Sequence, residues 1–147
     1  MSGANKSHAS RIGTLLGEPK SGRRQGASWH ERILTGLAFE AVDNIKARAS
    51  LTDAELAKLL GIGEATLRRA RASRSPLDAA TGDRLYRLSK IIAVAEEVLE
   101  DPDNAISWLR RPQPALRGQI PLDLLATQAG ADEVETLLRR IDYGVHT

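Results

Sequence analysis

LTDAELAKLLGIGEATLRRARAS, residues 51–73, contains the clearest structural pattern in this chain. Thr52 followed by Glu55 is a capping-box pattern, and the Leu and Ala residues after it recur at helical spacing, so a first short helix is predicted here. Gly61 stands where a left-handed turn residue ends a helix, and a second helix is predicted from Glu64 to Ala72. Two short helices joined by a tight glycine turn indicate a helix-turn-helix.

The residues around this turn also suit the packing of a helix-turn-helix. Two helices that cross at a sharp angle need a small residue where they touch and an apolar residue that pins the second helix. Ala57 lies four residues before Gly61, and Leu67 lies six residues after it. The alternative is a helix-turn-helix kept only as a folding unit, since Gly63 occupies the position where Ser or Thr usually caps the second helix.

The second predicted helix has a basic outer face. With Leu67 and Ala70 turned inward, arginines and small residues occupy the opposite side. Arginine can donate two parallel hydrogen bonds to guanine, alanine lets the backbone approach the base edges, and basic residues at the borders would contact phosphates. The predicted DNA-binding residues are Lys58, Glu64, Ala65, Arg68, Arg69, Arg71 and Arg74. The alternative is that these arginines form only the solvated face of a helix in a bundle.

The amino-acid composition favours helices and argues against several classes of site. Of the 147 residues one is Phe, two are Tyr and two are Trp, whereas Leu, Ala and Ile fill the periodic stretches, which predicts an all-α fold. The absence of cysteine excludes disulfides, thiolate zinc sites and a cysteine nucleophile, and suits a reducing cytoplasm. No apolar run approaches the roughly 20 residues of a membrane span, so no membrane association is expected.

The sequence contains no pattern of catalytic or metal-binding residues. Its three histidines, at positions 8, 30 and 146, have no spacing that would form a zinc site or provide a base for a serine nucleophile. The sequence Gly61-Ile62-Gly63 is not followed by the third glycine that a dinucleotide-binding loop requires. We therefore expect a protein that is not an enzyme, with no catalytic residues, no metal ligands and no cofactor.

Composition and helix-breaking residues divide the chain into three predicted regions. Residues 1–27 are rich in Ser, Gly, Lys and Arg and predict a flexible basic arm. Residues 28–100 predict a helical region for DNA binding and dimerisation, and residues 101–147, which begin at an Asp-Pro-Asp break, predict a smaller helical module. The front of the chain is basic, while residues 76–147 carry eight basic and twelve acidic residues, which suggests two partners of different character.

A broad apolar stripe runs along the long helix predicted from Ala79 to Leu99. The stripe is wide enough to serve two surfaces, one facing the core and one facing a second copy of the chain. The residues predicted for dimerisation are Leu88, Ile91, Ile92 and Ala95. A dimer would present two recognition helices to half-sites about one turn of DNA apart.

The second half of the chain contains a series of short motifs in a characteristic order. They are Gly82-Asp83-Arg84-Leu85-Tyr86-Arg87-Leu88, Trp108-Leu109, Leu116-Arg117-Gly118, Pro121-Leu122-Asp123-Leu124-Leu125, Thr127, Gly130, Val134 and Arg140-Ile141-Asp142-Tyr143-Gly144. With these motifs, the chain from about Leu51 to Gly144 resembles the Xre/ParS/MbcA-like antitoxins, which are partners of RES-domain toxins. Members of that family combine a helix-turn-helix with a toxin-binding module. The residues before Ser50 resemble no family that we can name.

The resemblance implies a type II antitoxin that is itself not an enzyme. Such a protein would form a homodimer, bind operator DNA to repress its own operon, and block a RES-domain toxin encoded by the adjacent gene. The toxin would consume NAD, either by degrading it or by ADP-ribosylating a target. The alternatives are a stand-alone helix-turn-helix repressor and a protein-binding adaptor whose helix-turn-helix is only structural.

The resemblance also implies where the toxin would bind. In the family the C-terminal module packs on the toxin and its end obstructs the toxin's cleft. By position, the residues implied here are Trp108, Arg139, Arg140, Tyr143, Gly144, Val145, His146 and Thr147. Other roles remain open: Trp108 could be a core residue, and the two arginines could merely complement the negative end of the last helix.

Overall fold

The computed structural model describes residues 11–17 and 28–144, and the regular elements in these ranges are helices. The described residues contain no strand, and one isolated antiparallel bridge joins Gln113 and Gln119. The predicted all-α class is confirmed. In chain order the elements are α1 at residues 11–15, α2 at Trp29–Thr35, α3 at Glu40–Arg48, α4 at Asp53–Leu60, α5 at Glu64–Ser73, α6 at Ala79–Leu99, α7 at Pro102–Leu109, a 3-10 helix at Pro114–Leu116, α8 at Pro121–Leu124 and α9 at Gln128–Asp142.

The chain divides into two compact units, and the division lies inside helix α6. The first unit ends at Ser89 and the second begins at Lys90. The sequence predicts a boundary after residue 100, where the Asp-Pro-Asp sequence ends the helix. The end of a helix and the end of a packing unit are different things, because the second half of a long helix can bury its side chains in another core.

The first unit is built around the apolar faces of α3 to α6. Helix α2 begins after Ser28, whose hydroxyl accepts a hydrogen bond from the Glu31 N–H at 3.2 Å. The Leu77 N–H donates to the Leu37 carbonyl at 2.9 Å, which ties the connection after α5 to the connection after α2. The largest fully buried side chains of this unit are Phe39, Ile45, Leu56, Leu60, Leu67, Leu85 and Leu88.

Part of the predicted flexible arm is folded. Residues 11–15 form helix α1, and the apolar side chains of Ile12, Leu15 and Leu16 are buried. Gly17, which follows, lies so close to Asn44 of α3 that a Cβ at Gly17 would overlap the Asn44 amide. Three apolar residues at helical spacing are enough to dock a short helix. The rest of the predicted arm, residues 1–10 and 18–27, lies outside the described residues.

The apolar stripe of α6 is covered by its own chain. The four residues predicted for dimerisation, Leu88, Ile91, Ile92 and Ala95, are each at most 2 % exposed in the single chain. A residue at the seam of a dimer must be exposed in the separate chain, because only then does association remove it from water. We therefore assign these four residues to the core rather than to a dimer seam.

The second unit depends on a close approach between α8 and α9. Helix α9 begins after Thr127, whose hydroxyl accepts a hydrogen bond from the Gly130 N–H at 3.0 Å. A Cβ placed on Gly130 would lie 1.9 Å from the Leu124 carbonyl oxygen, so only glycine fits between the two helices. The buried apolar side chains of this unit include Ala105, Leu109, Leu116, Leu122, Leu125, Val134 and Leu138.

Three helices of the first unit are joined by a charged cluster. The Asp53 carboxylate at the start of α4 accepts two hydrogen bonds, each of 3.0 Å, from the Arg71 guanidinium of α5. It also lies 2.8 Å from the Lys46 Nζ of α3. The hydrogen bonds from Arg71, and then those from Lys46, lower the pKa of Asp53 from 3.8 to about 2.

Replacing Gly130 by alanine should destabilise the second unit. The added methyl would overlap the Leu124 carbonyl, so the helices must separate, at a cost of about 3 kcal/mol of unfolding free energy. Urea unfolding measures the change, with Thr136→Ala on the exposed side of α9 as a control that should remain within about 0.5 kcal/mol of the parent. Equal stability of the Gly130→Ala protein and the parent would contradict the close approach.

The stability supplied by Asp53 should depend on pH in acid. Its pKa is lower in the folded chain than the ordinary 3.8, so its contribution is present above pH 4 and is lost as the pH falls towards 2. Because Asp53 is 42 % exposed, we expect a contribution of about 1 kcal/mol or less. Urea unfolding of the parent and of Asp53→Asn should show a gap at pH 6 that closes by pH 2. A gap of the same size at both pH values would contradict this role.

Candidate functional site

The turn between α4 and α5 has the predicted helix-turn-helix geometry. The capping box is complete, since the Thr52 hydroxyl accepts from the Glu55 N–H at 3.1 Å and the Thr52 N–H donates to Glu55 Oε1 at 2.9 Å. At the other end Gly61 has φ of 70°, in the left-handed region, and the Ile62 N–H donates to the Ala57 carbonyl at 3.0 Å. The prediction of two short helices with a glycine turn is confirmed.

The Arg84 side chain of α6 contacts this turn. Its Nη1 donates to the Leu60 carbonyl at 3.4 Å, and a Cβ placed on Gly61 would lie 2.8 Å from the guanidinium carbon. Gly61 is therefore needed for its left-handed backbone conformation, and its missing side chain leaves the space that the flexible end of Arg84 occupies. No local sequence pattern reveals this role, because Arg84 lies 24 residues from Leu60 along the chain.

Helix α5 presents most of the predicted DNA-binding residues to solvent. Within α5, which the structure describes completely, only Leu67 is buried. The exposed residues at i, i+1, i+4, i+5 and i+8 of one helical face are Glu64, Ala65, Arg68, Arg69 and Ala72. Arg69 Nη2 donates to the Thr66 hydroxyl at 3.3 Å, an exposed contact that leaves most of its donors available. Lys58, on α4, is also exposed.

Arg71 and Arg74 differ in their exposure and in how closely acidic residues contact them. The Arg71 side chain is only 28 % exposed, and besides its two bonds to Asp53 its Nε donates to Asp43 at 3.2 Å. The hydrogen bond to Asp53 raises the pKa of Arg71 above its ordinary value. Arg74 is 57 % exposed and lies 3.5 Å from Asp43 and 3.8 Å from Glu40. The Arg74 side chain is thus accessible to solvent, whereas the Arg71 guanidinium is hydrogen-bonded to acidic residues of the fold.

The second unit has a surface groove along one side of α9. This open groove has a volume of about 440 Å³ and is lined by Asp132, Glu135, Thr136, Arg139, Arg140 and Tyr143. Tyr143 is 82 % exposed, an unusual position for a large aromatic side chain. Glu135 is held by Lys90 of α6, whose Nζ lies 3.4 Å from Glu135 Oε1. The arrangement offers acidic groups at one end and arginines with an aromatic side chain at the other.

The structure brings some of the predicted toxin-binding residues together and separates others. Arg139, Arg140 and Tyr143 share the groove, and Gly144 follows directly. Trp108 is 8 % exposed and lies in the core, in agreement with the core alternative. Asp132 and Glu135 were not predicted, although their spacing along α9 places them on the same face as Arg139. The remaining predicted residues, Val145, His146 and Thr147, lie outside the described residues.

Two kinds of feature are absent from the part of the chain that the structure describes. Among residues 11–17 and 28–144, no group of three or more His, Cys, Asp or Glu side chains is placed to hold a metal ion. No helix in those same ranges combines the length and the apolar character that crossing a bilayer requires.

Two family models match the chain, and their ranges lie in the two units. The antitoxin Xre-like helix-turn-helix domain matches residues 28–90, and the antitoxin Xre/MbcA/ParS C-terminal toxin-binding domain matches residues 94–144. The first match contains α4, its turn and α5, and the second contains α9 and its groove.

Individual relatives agree with these matches. The Antitoxin Xre of Pseudomonas putida is 32 % identical over 115 residues, which are 78 % of this chain and 71 % of that protein. The Prs ADP-ribosylating antitoxin of Sphingobium sp. is 29 % identical over 121 residues, 76 % of each chain. A chain in the crystal structure of the M. tuberculosis MbcT-MbcA toxin-antitoxin complex matches with a TM-score of 0.53 and 23 % identity, over 71 % of this chain and 92 % of that one.

The last of these matches supports the fold, while the identity to the Pseudomonas putida protein and the two domain matches establish the family. With a helix-turn-helix domain in its first unit and a toxin-binding domain in its second, the chain belongs to the Xre/MbcA/ParS family of antitoxins of toxin-antitoxin systems.

Proposed function

We propose that this antitoxin binds and blocks a RES-domain toxin that consumes NAD, and that it represses its own operon through the helix-turn-helix. The observation that carries the proposal is the α9 groove, where the exposed Tyr143 adjoins Arg139 and Arg140. The toxin would be the product of the adjacent gene. The antitoxin would bind both the toxin and the operator in the cytoplasm. It would act as a homodimer and would have no catalytic activity of its own.

The chemistry of the groove suits a toxin of this kind. Tyrosine and arginine are the residues that most often dominate the free energy of protein interfaces. Guanidinium forms charge-assisted hydrogen bonds with carboxylates and phosphates, so Arg139 and Arg140 would pair with acidic residues of the toxin or with the phosphates of a dinucleotide bound in its cleft. Two similar proteins support the partner: the Sphingobium relative is called a Prs ADP-ribosylating antitoxin, and the M. tuberculosis structure is a toxin-antitoxin complex. ADP-ribosylation consumes NAD.

The proposed operator contacts follow from the exposed face of α5. Arg68 and Arg69 would enter the major groove and donate to guanine, and Glu64 could accept from cytosine. Ala65 is small enough to let the helix approach the bases. Lys58 and Arg74 would contact phosphates and fix the register without reading sequence. A symmetric dimer would place two such helices on successive turns of the operator.

Truncating Tyr143 should impair toxin neutralisation. If Tyr143 anchors the interface, Tyr143→Ala removes about 2 kcal/mol of binding free energy, which is roughly a 30-fold loss of affinity. Toxin affinity and growth rescue measure the effect, and deletion of Asp142 to Thr147 should abolish rescue. Ser107→Ala, exposed on α7 of the same unit, is the control that should behave like the parent. Full protection by the truncated protein would refute the role of this end of the chain.

Replacing Arg68 and Arg69 by alanine should have the opposite pattern. Operator affinity should fall by about 1–3 kcal/mol for each base-contacting arginine, while toxin neutralisation is retained because α9 is unchanged. Binding to a promoter duplex at several salt concentrations measures the change. If affinity and its salt dependence both stay at the parent's values, these arginines do not contact DNA, and the proposed repression through α5 is contradicted.

A further inference from the structure

Helix α5 is attached to the rest of its unit by few side chains. Leu67 is the one fully buried residue of this completely described helix, and Ala70 on the same face is only partly buried, so apolar packing fixes α5 mainly at one point, around Leu67. Rotation about that point would redirect the exposed Arg68 and Arg69. A second attachment is therefore needed to set the direction of the face that carries them.

Arg71 supplies that second attachment, one helical turn after Leu67. Its guanidinium donates two hydrogen bonds to Asp53 of α4 and a third to Asp43 of α3, at 3.0, 3.0 and 3.2 Å. The planar fork of arginine matches both oxygens of a carboxylate, which fixes angle as well as distance. Its carbon also lies 5.8 Å from the centre of the Phe39 ring. We call Arg71, Asp53 and Asp43 the α5 clamp.

The charges of the clamp are arranged for holding a helix rather than for binding phosphate. Two carboxylates face the Arg71 guanidinium, and Lys46 and Arg74 complete the group of charged neighbours. The two acids offset the charge of Arg71, and three of its five donors are already used. Both groups are charged at neutral pH, and the lowered pKa of Asp53 keeps its carboxylate ionised further into acid.

We propose that Arg71 is a positioning residue for operator recognition: through Asp53 and Asp43 it holds α5 in the orientation in which Arg68 and Arg69 reach the bases, and it makes no contact with DNA itself. This inference replaces the direct DNA contact expected from the sequence. It rests on the proposed repressor function, and it names a residue that sets the specificity of the same site.

Substitution of Asp53 tests the proposal, because the clamp and simple electrostatics predict opposite changes in promoter affinity. Asp53→Asn removes a negative charge, so electrostatics alone would strengthen binding to any DNA. The clamp predicts that affinity for a promoter duplex falls about tenfold while affinity for a scrambled duplex does not fall. Promoter affinity that is equal to or higher than that of the parent would overturn the proposal.

Substitutions of Arg71 separate positioning from phosphate contact. Arg71→Lys keeps the charge but loses the fork, and Arg71→Met loses both. The clamp predicts that both weaken promoter binding about tenfold and that neither changes the slope of log affinity against log salt. A phosphate contact would instead lower that slope by about 0.9 in Arg71→Met and preserve affinity in Arg71→Lys. Either of these results would overturn the proposal.

Hydrogen exchange of the protein without DNA tests the clamp independently of whether the protein is a repressor. Hydrogen exchange of α5 amides, compared with α9 amides of the same molecule, should accelerate in Asp53→Asn and in Arg71→Met. Arg74→Met is the matched control, since its ion pairs are long and exposed, and it should leave α5 protection unchanged. Unchanged α5 protection in the clamp variants overturns the inference. A parent protein that binds promoter and scrambled duplexes equally would instead contradict the repressor function.

Discussion

The direction of helix α5 depends on the close turn at Gly61. The left-handed backbone of Gly61 reverses the chain after α4, and its missing side chain leaves the space that the Arg84 guanidinium fills. Beyond the turn, Leu67 packs into the core and Arg71 is bonded to acidic residues of two other helices. A turn, one apolar side chain and one ion-paired side chain thus hold a helix whose remaining face is open to solvent.

The features that depend on neighbouring residues could be predicted from the sequence. The capping box at Thr52 and the glycine turn at Gly61 involve residues three to five positions apart, and both were predicted and confirmed. The partners of Arg71 lie 18 and 28 positions away, and no local pattern reveals such a pairing. The sequence therefore placed Arg71 on the DNA-binding face, whereas tertiary contacts turn its guanidinium towards the fold.

Hydrophobic periodicity likewise does not reveal what covers the apolar stripe of the long helix α6. A broad apolar stripe shows that a helix is buried, but not what buries it. Ile91 and Ile92 were predicted at a dimer seam and are covered by their own chain. The same limit applies near the N-terminus, where Ile12 and Leu15 lie in a region whose composition predicts a flexible arm. At the other end, the prediction of Arg139, Arg140 and Tyr143 came from the family resemblance, and the groove on α9 unites them.

The two surfaces of this antitoxin lie in different units, the exposed face of α5 in the first and the α9 groove in the second. We propose that the second surface neutralises a toxin encoded next to this gene. The most direct test of this proposal is to express this chain together with the adjacent gene product, and to score growth and co-purification of the two proteins. The account predicts that the neighbour alone arrests growth and depletes NAD or ADP-ribosylates a target, and that this chain restores growth in a stable complex. A neighbour that is harmless alone and does not co-purify would contradict it.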